Sequence, residues 1–210
     1  MSNTLNSVLQ NIMSILYILP ALLISITFHE LAHGYVAYKL GDPTAKDLGR
    51  LTLNPIKHID PVGFLSLLIL RFGWAKPVPY NPSYFKNRRQ GTLLVAIAGP
   101  ITNIILALLS LIAIALINTS YSIWYNILEM MFLYNIIFAV FNSLPVPPLD
   151  GSKILASILP EKLETFFWKY EKYGYIILLI LIFTNVLGMI LEPAISVTMN
   201  VLVAIVQFFL

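Results

Sequence analysis

The chain has 210 residues, of which 58% are hydrophobic and only 11% charged. An ordinary soluble domain is about 25% charged, so a lipid bilayer is the expected solvent. The absence of cysteine excludes disulfides, thiolate zinc sites and thiol nucleophiles, and a net charge of +3 scattered among apolar runs leaves no footprint for nucleic acid.

Five segments are apolar and long enough to cross a bilayer, a task that needs about 20 residues. They run approximately over 8–38, 91–117, 124–144, 173–191 and 194–210. The first lacks the basic leader of a signal peptide, and cleavage after it would fall close to a pair of histidines, so it is expected to be retained. It carries Thr27-Phe28-His29-Glu30-Leu31-Ala32-His33-Gly34. Two histidines four residues apart share one face of a helix and can grip one metal ion. The glutamate beside the first stands where it can take a proton from water at that metal. Ionisable groups at such a depth are costly and mark function by default.

The helix is expected to continue to about Leu40, where Gly41-Asp42-Pro43 stops it. With Lys39 at the interface, a rise of 1.5 Å per residue puts His33 roughly 9 Å and His29 roughly 15 Å below the surface. All 13 Lys and Arg fall after the first span, before the second, or between the third and fourth. The positive-inside rule then sets the N-terminus outside, the C-terminus in the cytosol and the metal motif towards the cytosolic face. Residues 62–70 are apolar, too short to span and basic on both flanks, which fits a segment that dips into the membrane and returns. Leu51–Pro55 and Trp74–Pro82 on either side of it suggest short proline-limited strands near the cytosolic face. Such an edge could pair with an unwound substrate, or serve as an interfacial cap anchored by Trp74 and Tyr80.

Catalytic zinc usually takes three protein ligands and keeps one position open. Asp42, Asp47 and Asp60 lie in the basic connection and suit solvated turns. Asp150 ends the run Asn142-Ser143-Leu144-Pro145-Val146-Pro147-Pro148-Leu149-Asp150-Gly151, whose prolines forbid a helix and suggest an extended stretch at membrane depth. It is therefore the candidate third ligand; it also suits the N-cap of a helix from Gly151 onward, and both roles can hold together. Asn103, in Ala98-Gly99-Pro100-Ile101-Thr102-Asn103, and Asn142 bring amides into hydrocarbon. They can serve an oxyanion or an extended substrate, or equally join helices. His58 suits an interfacial polar contact more than a transient ligand, and Glu129 suits a snorkelling acid or a bond to Asn126 or Tyr125.

His29-Glu30-Leu31-Ala32-His33, Ala98–Asn103 and Asn142–Gly151 resemble, in order and spacing, the three signature blocks of the site-2 proteases. Gly73-Trp74-Ala75-Lys76-Pro77-Val78-Pro79 further resembles a compact bacterial or archaeal branch of them. The resemblance covers about residues 25–155 of a single membrane domain, 1–210, leaving the helices of 173–210 as an addition. It implies an intramembrane zinc metalloprotease of the plasma membrane that cuts transmembrane segments of other proteins, as in regulated intramembrane proteolysis. It implies one zinc held by His29, His33 and Asp150, with Glu30 as base and with Asn142 and Asn103 near substrate. No PDZ insertion or CBS tail is visible in the sequence, so any regulatory membrane partner would act in another way. The expected fold is thus all-α and polytopic, with about five transmembrane helices, a re-entrant segment and short strands. A metal transporter with the same ligands is the rival from another class; a transit site has no need of the His-Glu-x-x-His order, and no inverted repeat is visible. A silent binder of membrane segments has no use for Glu30, and a prenyl-protein endopeptidase carries different accompanying blocks.

Overall fold

The computed structural model describes residues 2–70, 73–117 and 122–209. Hydrocarbon offers the backbone no partner but itself, and the apolar runs duly form helices. Helix α1 (Ser2–Lys39) ends at Gly41, whose φ of 103° few other residues would tolerate. Helices α2 (Thr44–Asp47) and α3 (Pro61–Leu70) follow. Helix α4 (Arg88–Leu116) starts on an Asn87 side chain that accepts from the Gln90 N–H. Helix α5 (Ile123–Asn142) starts in the same way on Ser122 and Tyr125. Then come α6 (Asp150–Ile158), α7 (Glu161–Tyr170), α8 (Gly174–Phe183) and α9 (Val186–Phe209).

Among the described residues four helices are long and apolar enough to cross a membrane: Leu16–Lys39 within α1, then α4, α5 and α9. The first three pack on one another, and α9 closes the bundle. Ala107, Phe132, Ile136 and Leu202 form its apolar centre, with Ile195, Met199 and Val203 against them. At the other end of α9, Leu187 and Leu191 pack with Leu149, Val146 and Leu178. Helix α9 therefore runs from the end of the bundle that holds Asp150 towards the end where α4 finishes and α5 begins. Helix α1 starts from that same end.

Three expectations change. Among the described residues four candidate spans are found where the sequence suggested five, and the last apolar stretch breaks at Thr184-Asn185 and not at 191–193. Asn185 takes a left-handed conformation (φ 58°), while Pro193 is carried inside α9. Helix α8 is left with ten residues, about 15 Å, half of a hydrocarbon core. The short strands are also absent from the described residues; a single antiparallel bridge, Ile59 with Ala75, stands in their place, since prolines on both sides prevent a ladder. Finally, the stretch before Asp150 is not extended but a chain of turns, with Val146 N–H on Leu144 O and Leu149 N–H on Val146 O. The connection expected near 118–123 falls largely at 118–121, outside the described residues, as does Arg71.

The segment expected to dip and return is helix α3. Its flanks are tied by the Ile59–Ala75 bridge and by the Lys76 N–H on His58 O at 2.9 Å, so the chain leaves and comes back at one place.

Candidate active site

Helical spacing puts His29 and His33 on one face of α1, and that face meets α4 at Gly99. A methyl group on Gly99 would overlap His33 Nε2 and stand 2.6 Å from His29 Nε2; only a residue without a side chain leaves room for both rings. The turns after α5 then deliver Asp150 as the first residue of α6. Here too a glycine sets the approach, because a Cβ on Gly151 would collide with the carbonyls of Ser143 and Leu144. The N-cap position of α6 belongs to Leu149, not to Asp150. The Oδ2 of Asp150 lies 3.1 Å from His29 Nε2 and 3.1 Å from His33 Nε2, and the two nitrogens are 3.0 Å apart. All three residues are buried.

The outer nitrogens explain why these three atoms face inward. His33 Nδ1–H donates to the Val95 carbonyl at 2.7 Å, and His29 Nδ1–H donates to Asn103 Oδ1 at 2.5 Å. Each neutral ring then turns an unprotonated Nε2 to the centre, where the carboxylate oxygen also points. Three lone pairs converging in a buried site are stable only around a cation. Tetrahedral zinc with bonds of about 2.0–2.1 Å would set its donors about 3.3 Å apart, close to the spacing found. The donor set fits the ion.

Glu30 follows His29 and is half-buried. Its Oε2 accepts from the Val78 N–H at 2.8 Å. Val78 belongs to a strap, 74–82, tied down along its length. Lys76 O takes Arg50 Nη2 at 2.8 Å, and the Asn81 N–H donates to the buried Asp42 at 2.6 Å. Between Lys76 and Pro79 the prolines have no N–H, Lys76 donates to His58 and Val78 to Glu30. No backbone donor there remains for a pairing strand. Lys153 completes the surroundings. Its Nζ lies 3.9 Å from Asp150 Oδ1 and over the Tyr80 ring at 5.5 Å. Burial works against its charge, but Tyr80 and Asp150 more than compensate and raise its pKa.

The remaining candidates divide. Asn103 is fully buried behind His29; its Nδ2 donates to Ser25 O and to Asn135 Oδ1. Asn142 donates to Phe138 O, one turn back on its own helix. His58 is fully buried, with Nε2–H donating to Thr52 O at 2.8 Å, and joins the flanks of α3 rather than the metal cluster. Glu129 lies exposed on α5. Sequence reasoning missed Asn135, Val78 and Val95. Only Asn135 left a signal, an amide in the middle of an apolar span, the same signal that marked Asn103.

The model of peptidase family M50 matches residues 17–120 and 110–185, so it spans the metal motif, the glycine on α4 and Asp150. The chain belongs to peptidase family M50. It is 40% identical to a Bacillus subtilis protein named "Putative zinc metalloprotease YwhC", over 86% of both chains. A Mycolicibacterium smegmatis relative, "Putative zinc metalloprotease Rip2", is 28% identical over 79% of this chain and 66% of its own. "Zinc metalloprotease MJ0392" of Methanocaldococcus jannaschii is 28% identical over 78% of this chain and 37% of its own length. No solved structure matches. As an M50 peptidase of the site-2 type, the protein is a zinc metalloendopeptidase with membrane-length apolar helices. A family of peptidases gives the transporter alternative no support.

Proposed function

We propose that this M50 peptidase hydrolyses peptide bonds within or next to the transmembrane segments of other membrane proteins, as in regulated intramembrane proteolysis. The observation that carries the proposal is the meeting of His29, His33 and Asp150, 121 residues apart in sequence between His29 and Asp150, inside a bundle of membrane-length helices with Glu30 beside them. These three residues hold one zinc ion per chain. Zinc bound there supplies Lewis acidity to a carbonyl and lowers the pKa of water. Glu30, aligned by the Val78 N–H, accepts the proton and later returns it to the leaving amine. Asn103 and the Val95 carbonyl hold the imidazoles in the tautomer that binds metal, and Lys153 keeps positive charge beside the Asp150 oxygen that faces away from it. A transmembrane helix hides its carbonyls in internal bonds, so its substrates carry helix-breaking residues near the cut.

The basic residues gather at the bundle end that contains the site, which supports a cytosolic active-site face in the plasma membrane with both termini outside. Helix α3, tied at its flanks and exposing Val62 and Leu65, dips into the cytosolic leaflet. The protein is one domain throughout. The test is zinc content and detergent-based cleavage of a panel of single-span proteins. Glu30→Gln retains zinc and loses at least about a hundredfold in rate, the lower range for a lost acid–base group. His29→Ala and Asp150→Ala lose both. Normal cleavage by purified Glu30→Gln protein would overturn the assignment.

A further inference from the structure

The two imidazoles are held by acceptors of different kinds. His33 donates to a backbone carbonyl, Val95 O, which accepts and can do nothing else. His29 donates to the side-chain amide of Asn103, and an amide can turn over. With its NH2 group towards His29, Asn103 would donate to Nδ1, the ring proton would move to Nε2, and Nε2 could no longer take a metal. Something must fix the amide, and Asn103 itself is 0% exposed, out of contact with solvent.

We propose that Asn135 on α5 is a positioning residue of the metal centre, acting through Asn103 on the proton of His29. This rests on the metal site proposed above. Asn103 and Asn135 are both 0% exposed. Asn103 Nδ2 donates to Asn135 Oδ1 at 2.7 Å, and Asn135 Nδ2 donates to the Met131 carbonyl at 2.7 Å. The Met131 carbonyl can only accept, so it fixes which end of the Asn135 amide faces it. The Asn135 oxygen then fixes Asn103, the Asn103 oxygen fixes the proton on His29 Nδ1, and the lone pair of Nε2 is left for the ion. One polarity runs from a backbone carbonyl on α5, through α4, to a ligand on α1. Ser25 O also accepts from Asn103, at the longer distance of 3.3 Å, so loss of Asn135 weakens the relay without abolishing it.

The experiment measures zinc affinity of the purified full-length protein in detergent by competition with a chromophoric chelator. Asn135→Leu and the smaller Asn135→Ala are expected to bind zinc at least about tenfold more weakly, the lower range for loss of such an outer partner. Asn135→Asp is expected to bind like the wild type, because a buried, protonated carboxyl offers one accepting oxygen to Asn103 and one O–H to Met131. The double variant Asn103→Leu/Asn135→Leu is expected to lose no more than Asn103→Leu alone. Wild-type affinity in a folded Asn135→Leu or Asn135→Ala protein, or losses that add in the double variant, would overturn the relay. His29→Ala separates the two levels: wild-type affinity in that variant refutes the metal site itself, whereas its loss beside an intact Asn135→Leu refutes only the relay.

Discussion

Gly99 stands where any larger residue would enter the metal cluster. The overlap of a methyl with both imidazole Nε2 atoms cannot be relieved by bending a flexible tip, because each ring is pinned at its far nitrogen. Gly99→Ala is therefore expected to fold in the membrane yet bind little zinc and show no cleavage; zinc analysis of the purified variant checks this, and normal zinc content would show that the rings have room to withdraw. Asn142 gives the opposite expectation. Its amide returns to its own helix, so Asn142→Ala keeps zinc affinity within about twofold, as expected for a surface-like bond away from the ligands. A separate fall in cleavage rate would then assign Asn142 to substrate. The side chains of the metal motif were legible in the sequence because a four-residue spacing is a local property of any helix. Asp150 was legible because its preceding prolines announced an irregular backbone. Asn103 was visible as an amide in hydrocarbon, but its direction was not, since nothing in one sequence says which helix an amide will meet.

At the scale of elements, the strap of 74–82 holds Glu30 through the Val78 N–H, and its backbone donors between Lys76 and Pro79 are already taken. Pro77 and Pro79 remove their neighbours' competition, leaving Val78 as the one amide in that stretch aimed at Glu30. Backbone groups of this kind escape motif reading, because the side chain named in the sequence is incidental to the bond. Val78→Pro is expected to lower the cleavage rate about tenfold to a hundredfold, the value of a charge-assisted bond of about 1.5–3 kcal/mol. It should leave zinc content unchanged, and Val78→Ala should retain most activity. Rate measurements on both variants decide the matter; equal rates would mean that Glu30 needs no such alignment. The misplaced break in the last apolar stretch has a physical cause as well. Proline is the stronger breaker in water, but a membrane helix tolerates it when neighbours cover the freed groups, and Asn185 in the left-handed region ends α8 more sharply than Pro193 interrupts α9.

For the whole molecule, that break bears on the topology. The leucines at the start of α9 pack beside Leu149, one residue before Asp150, and those at its end beside Ala107 and Phe132. The helix thus travels away from the site, whereas a fifth crossing would have had to bring the chain back to it. With the cytosolic site face proposed above, four crossings return the C-terminus to the side of the N-terminus. In intact cells, epitopes fused to either end are expected to be digested by added protease, while a membrane-impermeant amine reagent leaves Lys162 in α7 unlabelled until the membrane is opened. A C-terminal epitope protected under conditions that strip the N-terminal one would mean that α8 and α9 both cross, and that the 15 Å or so of α8 is completed by residues beyond its helical bounds.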